Sequence, residues 1–278
     1  MIGTKREHEN KRYDLMSSAA QLVDLQERIR RIERPNAMRH GVLPFGVAAI
    51  DRALPEGGLA LGAVHEILGA GPDEEDGAAA AGFTAAIAGR LRDPGSLVLW
   101  CLKQHDLYGP GLAEHGLDPA RIALVRAARD DDILWALEEG LRTPALAAVV
   151  GEVGRLPMIA GRRLQLAAEH SGVTALLLRR WRTGAEAAAE RTQPSAAVTR
   201  WRITSLPSLS DGEPGLGRPR WQVELLRCRG AEPAVWTMPV DLGGADASGA
   251  VRLPAELADR PAAPQRPAAD HEALRAVG

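Results

Sequence analysis

The stretch from Val64 to Leu91 constrains this chain more than any other. Val64 to Leu68 reads as a short buried strand, Gly69, Gly71 and Pro72 turn the chain, and Ala78 to Leu91 reads as a helix. The small side chains of that helix let it lie close against a sheet. Strand, glycine-rich turn and helix are the layout of a phosphate-binding P-loop, but its chemistry is missing. A P-loop needs Gly-x-x-x-x-Gly-Lys-Ser/Thr. Backbone N–H groups cradle the phosphates, the lysine reaches the outer ones and the hydroxyl holds magnesium. Counted from Gly69, Glu74 and Glu75 fall where glycine and lysine belong; counted from Gly71, Asp76 and Gly77 do. Either register puts carboxylates beside the place of a triphosphate, at a helix N-terminus that they can satisfy themselves. The stretch predicts a nucleotide-binding architecture that has lost its nucleotide site, with no cofactor and no catalytic or metal-ligating residue.

The chain on either side extends the same pattern. Leu97 to Leu102, Ile122 to Val125, Leu146 to Val150 and Val173 to Leu178 are apolar runs of strand length. Between them Gly109 to Gly116, Asp130 to Arg142 and Met158 to His170 read as helices. Asp130 is placed as an N-cap, with Asp131 and Asp132 in the first turn, and Gly172 stops the third helix. Continuous apolar strands alternating with helices predict an α/β fold with a mostly parallel sheet covered on both faces. After Thr183 to Thr199, read as a loop or loose helix, Trp201 to Leu206, Arg220 to Arg227 and Val235 to Val240 are strands. The short turns between them suit antiparallel additions to the sheet.

Both ends differ from this core. Tyr13 to Arg34 predicts a helix ended by Pro35, with Leu15, Leu22 and Ile29 in one row and Leu25 and Ile32 in its companion. So narrow a seam needs a partner surface, on the chain's own core or on another protein. From Leu242 onward Gly, Ala, Pro and charge dominate, which predicts a flexible tail. The expected organisation is an arm over 1–40, an α/β core over 41–242 and a tail over 243–278. A net charge of −2 does not mark a polyanion binder, Cys101 and Cys228 form no disulfide framework, and the histidines form no ligand set. No stretch approaches a spanning length of about 18–20 apolar residues, so the expectation is a cytoplasmic protein without a membrane partner.

Arginine and tryptophan interleave at Arg179, Arg180, Trp181 and Arg182, at Arg200, Trp201 and Arg202, and at Arg218, Arg220 and Trp221. Between 179 and 229 ten arginines face five acids. Arginine with aromatics can hold single-stranded nucleic acid through phosphate contact and base stacking, which makes the first seven residues candidates for DNA contact. The alternative is that the tryptophans anchor strand ends while the arginines pair with acids.

The run Leu43-Pro-Phe-Gly-Val-Ala-Ala-Ile-Asp-Arg-Ala-Leu, then Gly57-Gly-Leu and Gly62-Ala-Val-His-Glu-Ile, resembles the entry to the core of RecA-type recombinases. The resemblance continues through Gln104-His-Asp-Leu-Tyr and Leu112-Ala-Glu-His-Gly-Leu-Asp-Pro. In that register the family's catalytic glutamate falls on Gln104. Its magnesium-linked Walker B aspartate falls on Gly151, one place before Glu152. Lysine, glutamate and aspartate are all replaced, which implies a protein that is not an ATPase.

Over roughly 10–242 the chain resembles, within that superfamily, the ImuA family of bacterial inducible-mutagenesis cassettes. The resemblance implies an SOS-regulated, non-catalytic accessory factor of translesion synthesis. Its expected partners are an ImuB-like Y-family polymerase homologue and an error-prone α-type replicative polymerase subunit, with RecA as a further candidate. The partner surface expected is the seam of Leu15, Leu22, Leu25, Ile29 and Ile32. Two other readings stand beside it: a diverged ATPase or recombinase in which Lys103 or an arginine replaces the loop lysine, and a cell-division inhibitor resembling the SulA family.

Overall fold

The computed structural model describes residues 39–91, 96–191, 193–209 and 218–240. The seam at Leu15, Leu22, Leu25, Ile29 and Ile32 and the tail from 243 lie outside the described residues. Six strands, β3 (Val64–Gly69), β4 (Val98–Leu102), β5 (Ile122–Arg126), β6 (Ala148–Val153), β7 (Thr174–Arg179) and β8 (Thr199–Leu209), run parallel. Strands β9 (Arg218–Cys228) and β10 (Ala234–Pro239) add antiparallel beyond β8, so the sheet order is 10-9-8-3-7-6-4-5. The expected mostly parallel α/β sheet with antiparallel strands on its C-terminal side is what the chain forms.

Strands β3, β6 and β7 are buried along their whole length because helices cover both faces. Alternate residues serve opposite cores. On one face Val150, Leu176, Leu178 and Trp201 meet helices α1 (Ala48–Ala53), α2 (Ala78–Ala88) and α3 (Gly109–Glu114). On the other, Val149, Val153, Ala175 and Leu177 meet α4 (Asp130–Leu141) and α5 (Met158–Ser171). The first core centres on aromatic rings: Phe45, Phe83 and Trp201 lie with centroids 5.3–5.9 Å apart. Helix α2 comes as close as its small residues allow. A Cβ on Gly89, the residue capping its C-terminus, would sit 2.3 Å from the Gly116 carbonyl oxygen.

Local signals held in part. Gly172 ends α5 in the left-handed region, at φ 79°, where glycine carries no Cβ penalty. Ahead of β3, β1 (Val42–Leu43) pairs antiparallel with β2 (Leu59–Ala60) and α1 lies between them. The segment before β8 contains helix α6 (Gly184–Arg191). Asp130 is not an N-cap: it is the first residue of α4, and its carboxylate turns away to Lys103, at 2.7 Å, and to the N–H groups of Gly154 and Arg155. Those partners come from other strand ends, so a tertiary site took the residue from local capping.

Candidate functional site at the carboxyl ends of the strands

The turn after β3 uses up its own hydrogen-bonding groups. The Ala70 N–H donates to Ile203 O and the Asp73 N–H to Trp181 O, while those of Glu75 and Asp76 both reach Pro72 O. The Gly71 N–H donates to Asp76 Oδ2 at 2.7 Å, and Asp76 Oδ1 takes the Ser205 N–H at 2.7 Å. Asp76 is only 5% exposed. A wide π-type turn, Asp73–Gly77, leads into α2 and gives the carboxylate its reach. The turn thus holds a built-in anion where its amides would otherwise receive one.

Beside it, Arg180 collects three carboxylates from three strand ends. Its Nε donates to Asp73 Oδ2 at 2.8 Å, Nη1 to Glu152 Oε2 at 2.7 Å and Nη2 to Asp106 Oδ2 at 2.7 Å. Asp73 follows β3, Asp106 follows β4, Glu152 lies in β6 and Arg180 follows β7, so one guanidinium ties four adjacent segments together. Burial opposes the charge on Arg180, but the hydrogen bonds to Asp106 and Glu152 outweigh it and raise its pKa. The Asp106 carboxyl is held below its ordinary value chiefly by the hydrogen bond from Arg180. Burial pushes Glu152 up, against Arg180 and the Trp100 Nε1–H that donates to its Oε1 at 2.8 Å. For Asp130 burial acts upward too, but Lys103 and the Arg155 and Gly154 amides win and its pKa falls.

These groups line a cavity of about 480 Å³ with Gln104, Arg155, Trp181, Arg182, Glu186 and Glu190. Of the cavity's four cations, Lys103 and Arg180 are engaged by carboxylates and are unavailable to a polyphosphate without breaking ion pairs, while Arg155 and Arg182 line it with exposed side chains. Gln104 is exposed just past β4 and offers no base. At Gly151 the Walker-type carboxylate has no room, because a Cβ there would meet Leu137 Cδ1 at 2.4 Å. Among the described residues no group of three or more His, Cys, Asp or Glu is arranged to hold a metal ion.

A second polar cluster lies wholly inside. Glu66, in β3, has no exposed area and takes Arg179 Nη1 at 3.2 Å and the Ser195 hydroxyl. Arg179 also donates to Gly154 O at 2.9 Å and places its guanidinium 4.9 Å from the Trp181 ring centroid. Arg200 Nη1 and Nη2 donate to the carbonyls of Gln193 and Glu190, and its Nε lies 3.2 Å from Glu66 Oε2. His65 sits beside them with no exposed area, its Nε2 2.8 Å from Ala60 O and Nδ1 2.7 Å from Thr199 Oγ1. A carbonyl can only accept, so Nε2 carries the hydrogen and Nδ1 receives the Thr199 hydroxyl. Thr199 Oγ1 in turn accepts from Trp201 Nε1 at 2.7 Å. Desolvation of this site lowers the His65 pKa to about 4.

These positions correct the DNA-contact candidates. Arg179, Arg200, Trp181 and Trp201 are 2%, 4%, 3% and 0% exposed, so neither tryptophan can stack on a base and neither arginine can reach a phosphate. Arg180 is committed to its three acids, and Arg202 forms a two-pronged pair with Glu224, both contacts 2.7 Å. Of the seven, Arg182 is left with its side chain exposed. Strand alternation carried the signal. In Arg200-Trp201-Arg202 the tryptophan takes one face, into the aromatic core, and the arginines take the other, toward Glu66 and Glu224. The residues missed by sequence reasoning are Asp73, Asp106 and Glu66, whose arginine partners lie 107, 74 and 113 residues away, and Glu190, which pairs with Arg179 and Arg200; Asp76 does what the sequence expected of a carboxylate at this turn.

This chain resembles two known proteins. It is 41% identical over 225 residues to Protein ImuA of Caulobacter vibrioides, in strain NA1000 / CB15N and equally in strain CB 15. The alignment covers 78% of this chain and 91% of each relative. No protein-family model matches the chain.

Proposed function

Because this chain belongs to the ImuA family, we propose that it is a RecA-like accessory protein of SOS-inducible mutagenesis. It acts in translesion synthesis through protein contacts and without nucleotide chemistry. The observation that carries this reading is the Arg180 guanidinium held by Asp73, Asp106 and Glu152, a knot with more carboxylates than cations closed over the strand ends. Open parallel sheets bind ligands at those ends, and here the place is taken by the chain's own charges. Asp76, satisfying the turn after β3, supports the same conclusion. The partners that fit are a Y-family polymerase homologue, an α-type replicative polymerase subunit and RecA, met in part through the seam of Leu15, Leu22, Leu25, Ile29 and Ile32. A cytoplasmic setting accords with this role. No helix among the described residues is long and apolar enough to cross a membrane.

The test is the frequency of ultraviolet-induced mutation in a strain lacking the gene. Induced mutagenesis should fall in the deletion and return with a copy whose 69–77 turn is rebuilt without changing Asp73 or Asp76. Normal induced mutagenesis in the deletion would refute the reading.

A further inference from the structure

The outer face of α4 and α5 carries apolar surface that the fold does not use. Trp135 is 65% exposed, Ile159 75% and Leu166 65%. Ile159 and Leu166 are two turns apart on one side of α5, and Trp135 lies on the neighbouring α4. Between them Glu138 links the helices, pairing with Arg163 of α5 and with Arg142. Toward the C-terminal ends of both helices the surface dips into a groove of about 750 Å³ lined by Leu141, Leu166, Ala167 and His170 among others. Clustered apolar side chains of this size on a monomer mark a contact site.

His40 holds the incoming chain at the C-terminal end of α5, one turn or less from the groove-lining His170 and Ser171. His40 Nε2 bonds the Glu169 carbonyl in the last turn of α5, 2.9 Å away, and the same ring packs on Gly172. Immediately upstream lies the segment Tyr13 to Arg34, outside the described residues, whose sequence repeats Leu15, Leu22, Leu25, Ile29 and Ile32 along one helical face. The six links from Arg34 to His40 reach at most about 22 Å, so the end of that segment stays on this side of the molecule. As a helix it would extend about 33 Å, enough to run the length of α5 parallel to it, C-terminal end beside C-terminal end. Rises of about 15 Å from Ile32 to Leu22 and about 10 Å from Leu166 to Ile159 bring the two apolar rows side by side.

Charge agrees with that direction. Arg28, Arg30, Arg31 and Arg34 come at the end of the segment nearest His40. They would meet the carbonyl ends of α4 and α5 and the Glu169 carboxylate, which carry negative character there. Arg142 and Arg163 already neutralise Glu138 and Glu139 and leave that character uncancelled. We propose that residues 13–34 dock in cis along the outer α4/α5 face, seating Ile29 and Ile32 beside Leu166 and Ala167. The seam that the proposed function assigns to partners is then covered by its own core until a partner displaces it. The docking itself does not depend on that function.

The test is cross-linking of the full chain carrying Ile29→Cys and Ala167→Cys with a short bismaleimide, at micromolar and dilute concentrations. Cys228 is replaced by serine, and Cys101, buried with its thiol pushed up to about 12, stays inert. The proposal predicts a concentration-independent cross-link within one chain. Adding Leu166→Asp should cut its yield roughly tenfold, the weight of one buried leucine, whereas Val235→Asp, exposed on the distant β10, should not. A product only between chains, which fades on dilution, would overturn the proposal in favour of a second copy as occupant. No cross-link, or a yield indifferent to Leu166→Asp, would also overturn it.

Discussion

Arg180 Nη1 lies 2.7 Å from Glu152 Oε2, closing an ion pair across the carboxyl ends of the neighbouring strands β7 and β6. Its counterion is 2% exposed and, among the described residues, pairs with no second cation. Asp73 and Asp106 complete the set. The stability of this end of the sheet therefore rests on one guanidinium.

Replacing Arg180 by alanine leaves one buried, one half-buried and one exposed carboxylate without their shared partner. The expected loss is about 3 kcal/mol, the scale for stranding a buried charge. Removing Asp106 instead, the most exposed of the three, should cost under about 1 kcal/mol. Urea unfolding of both variants checks this, and equal small losses would show that the knot is not structural.

Asp76 gives the second prediction. Alanine there orphans the Gly71 and Ser205 amides and should cost about 2 kcal/mol, at about 1–3 per unsatisfied group before solvent relief. Asparagine keeps one acceptor oxygen and should recover about half. Hydrogen exchange at Gly71 and Ser205 reads the same change locally, and unaltered protection in the alanine variant would contradict the assignment.

His65 supplies a pH signature. Its folded pKa is lowered from 6.5 to about 4, so the unfolded chain binds the proton more readily. The stability it contributes is complete above pH 6.5 and is lost as pH falls from 6.5 through about 4, by about 3 kcal/mol at the bottom. A His65→Gln variant should lack this part of the pH dependence. Parallel stability curves for the two proteins between pH 7 and 4 would refute the buried neutral imidazole.

How much of this could be read beforehand divides by range of interaction. Strands such as Leu146 to Val150 and Val173 to Leu178 were legible because burial on both faces leaves an unbroken apolar run. The Gly172 stop was legible because a left-handed cap has a one-residue signature. That the turn after β3 carries carboxylates and no lysine was visible too, but the pairing of Asp73 with Arg180 was not. Asp73 and Arg180 stand 107 residues apart, and nothing local distinguishes Asp73 from Glu74. The tryptophans misled for the same reason. Trp181 and Trp201 sit among arginines in sequence, yet the chain turns both inward. Asp130 looked like a cap because capping is the local use of such a residue, and a lysine from another strand end outbid it.

The central claim is that the strand ends hold no nucleotide because the chain's own carboxylates, Asp76 in the turn and the acids around Arg180, occupy them. Isothermal titration of the full chain with magnesium ATP tests it most directly. The account predicts no saturable heat up to millimolar nucleotide, with the Arg180→Ala variant equally silent, since Asp76 still fills the turn. Saturable binding at micromolar concentration would contradict it and return Lys103 and the cavity around it to the role of a nucleotide site.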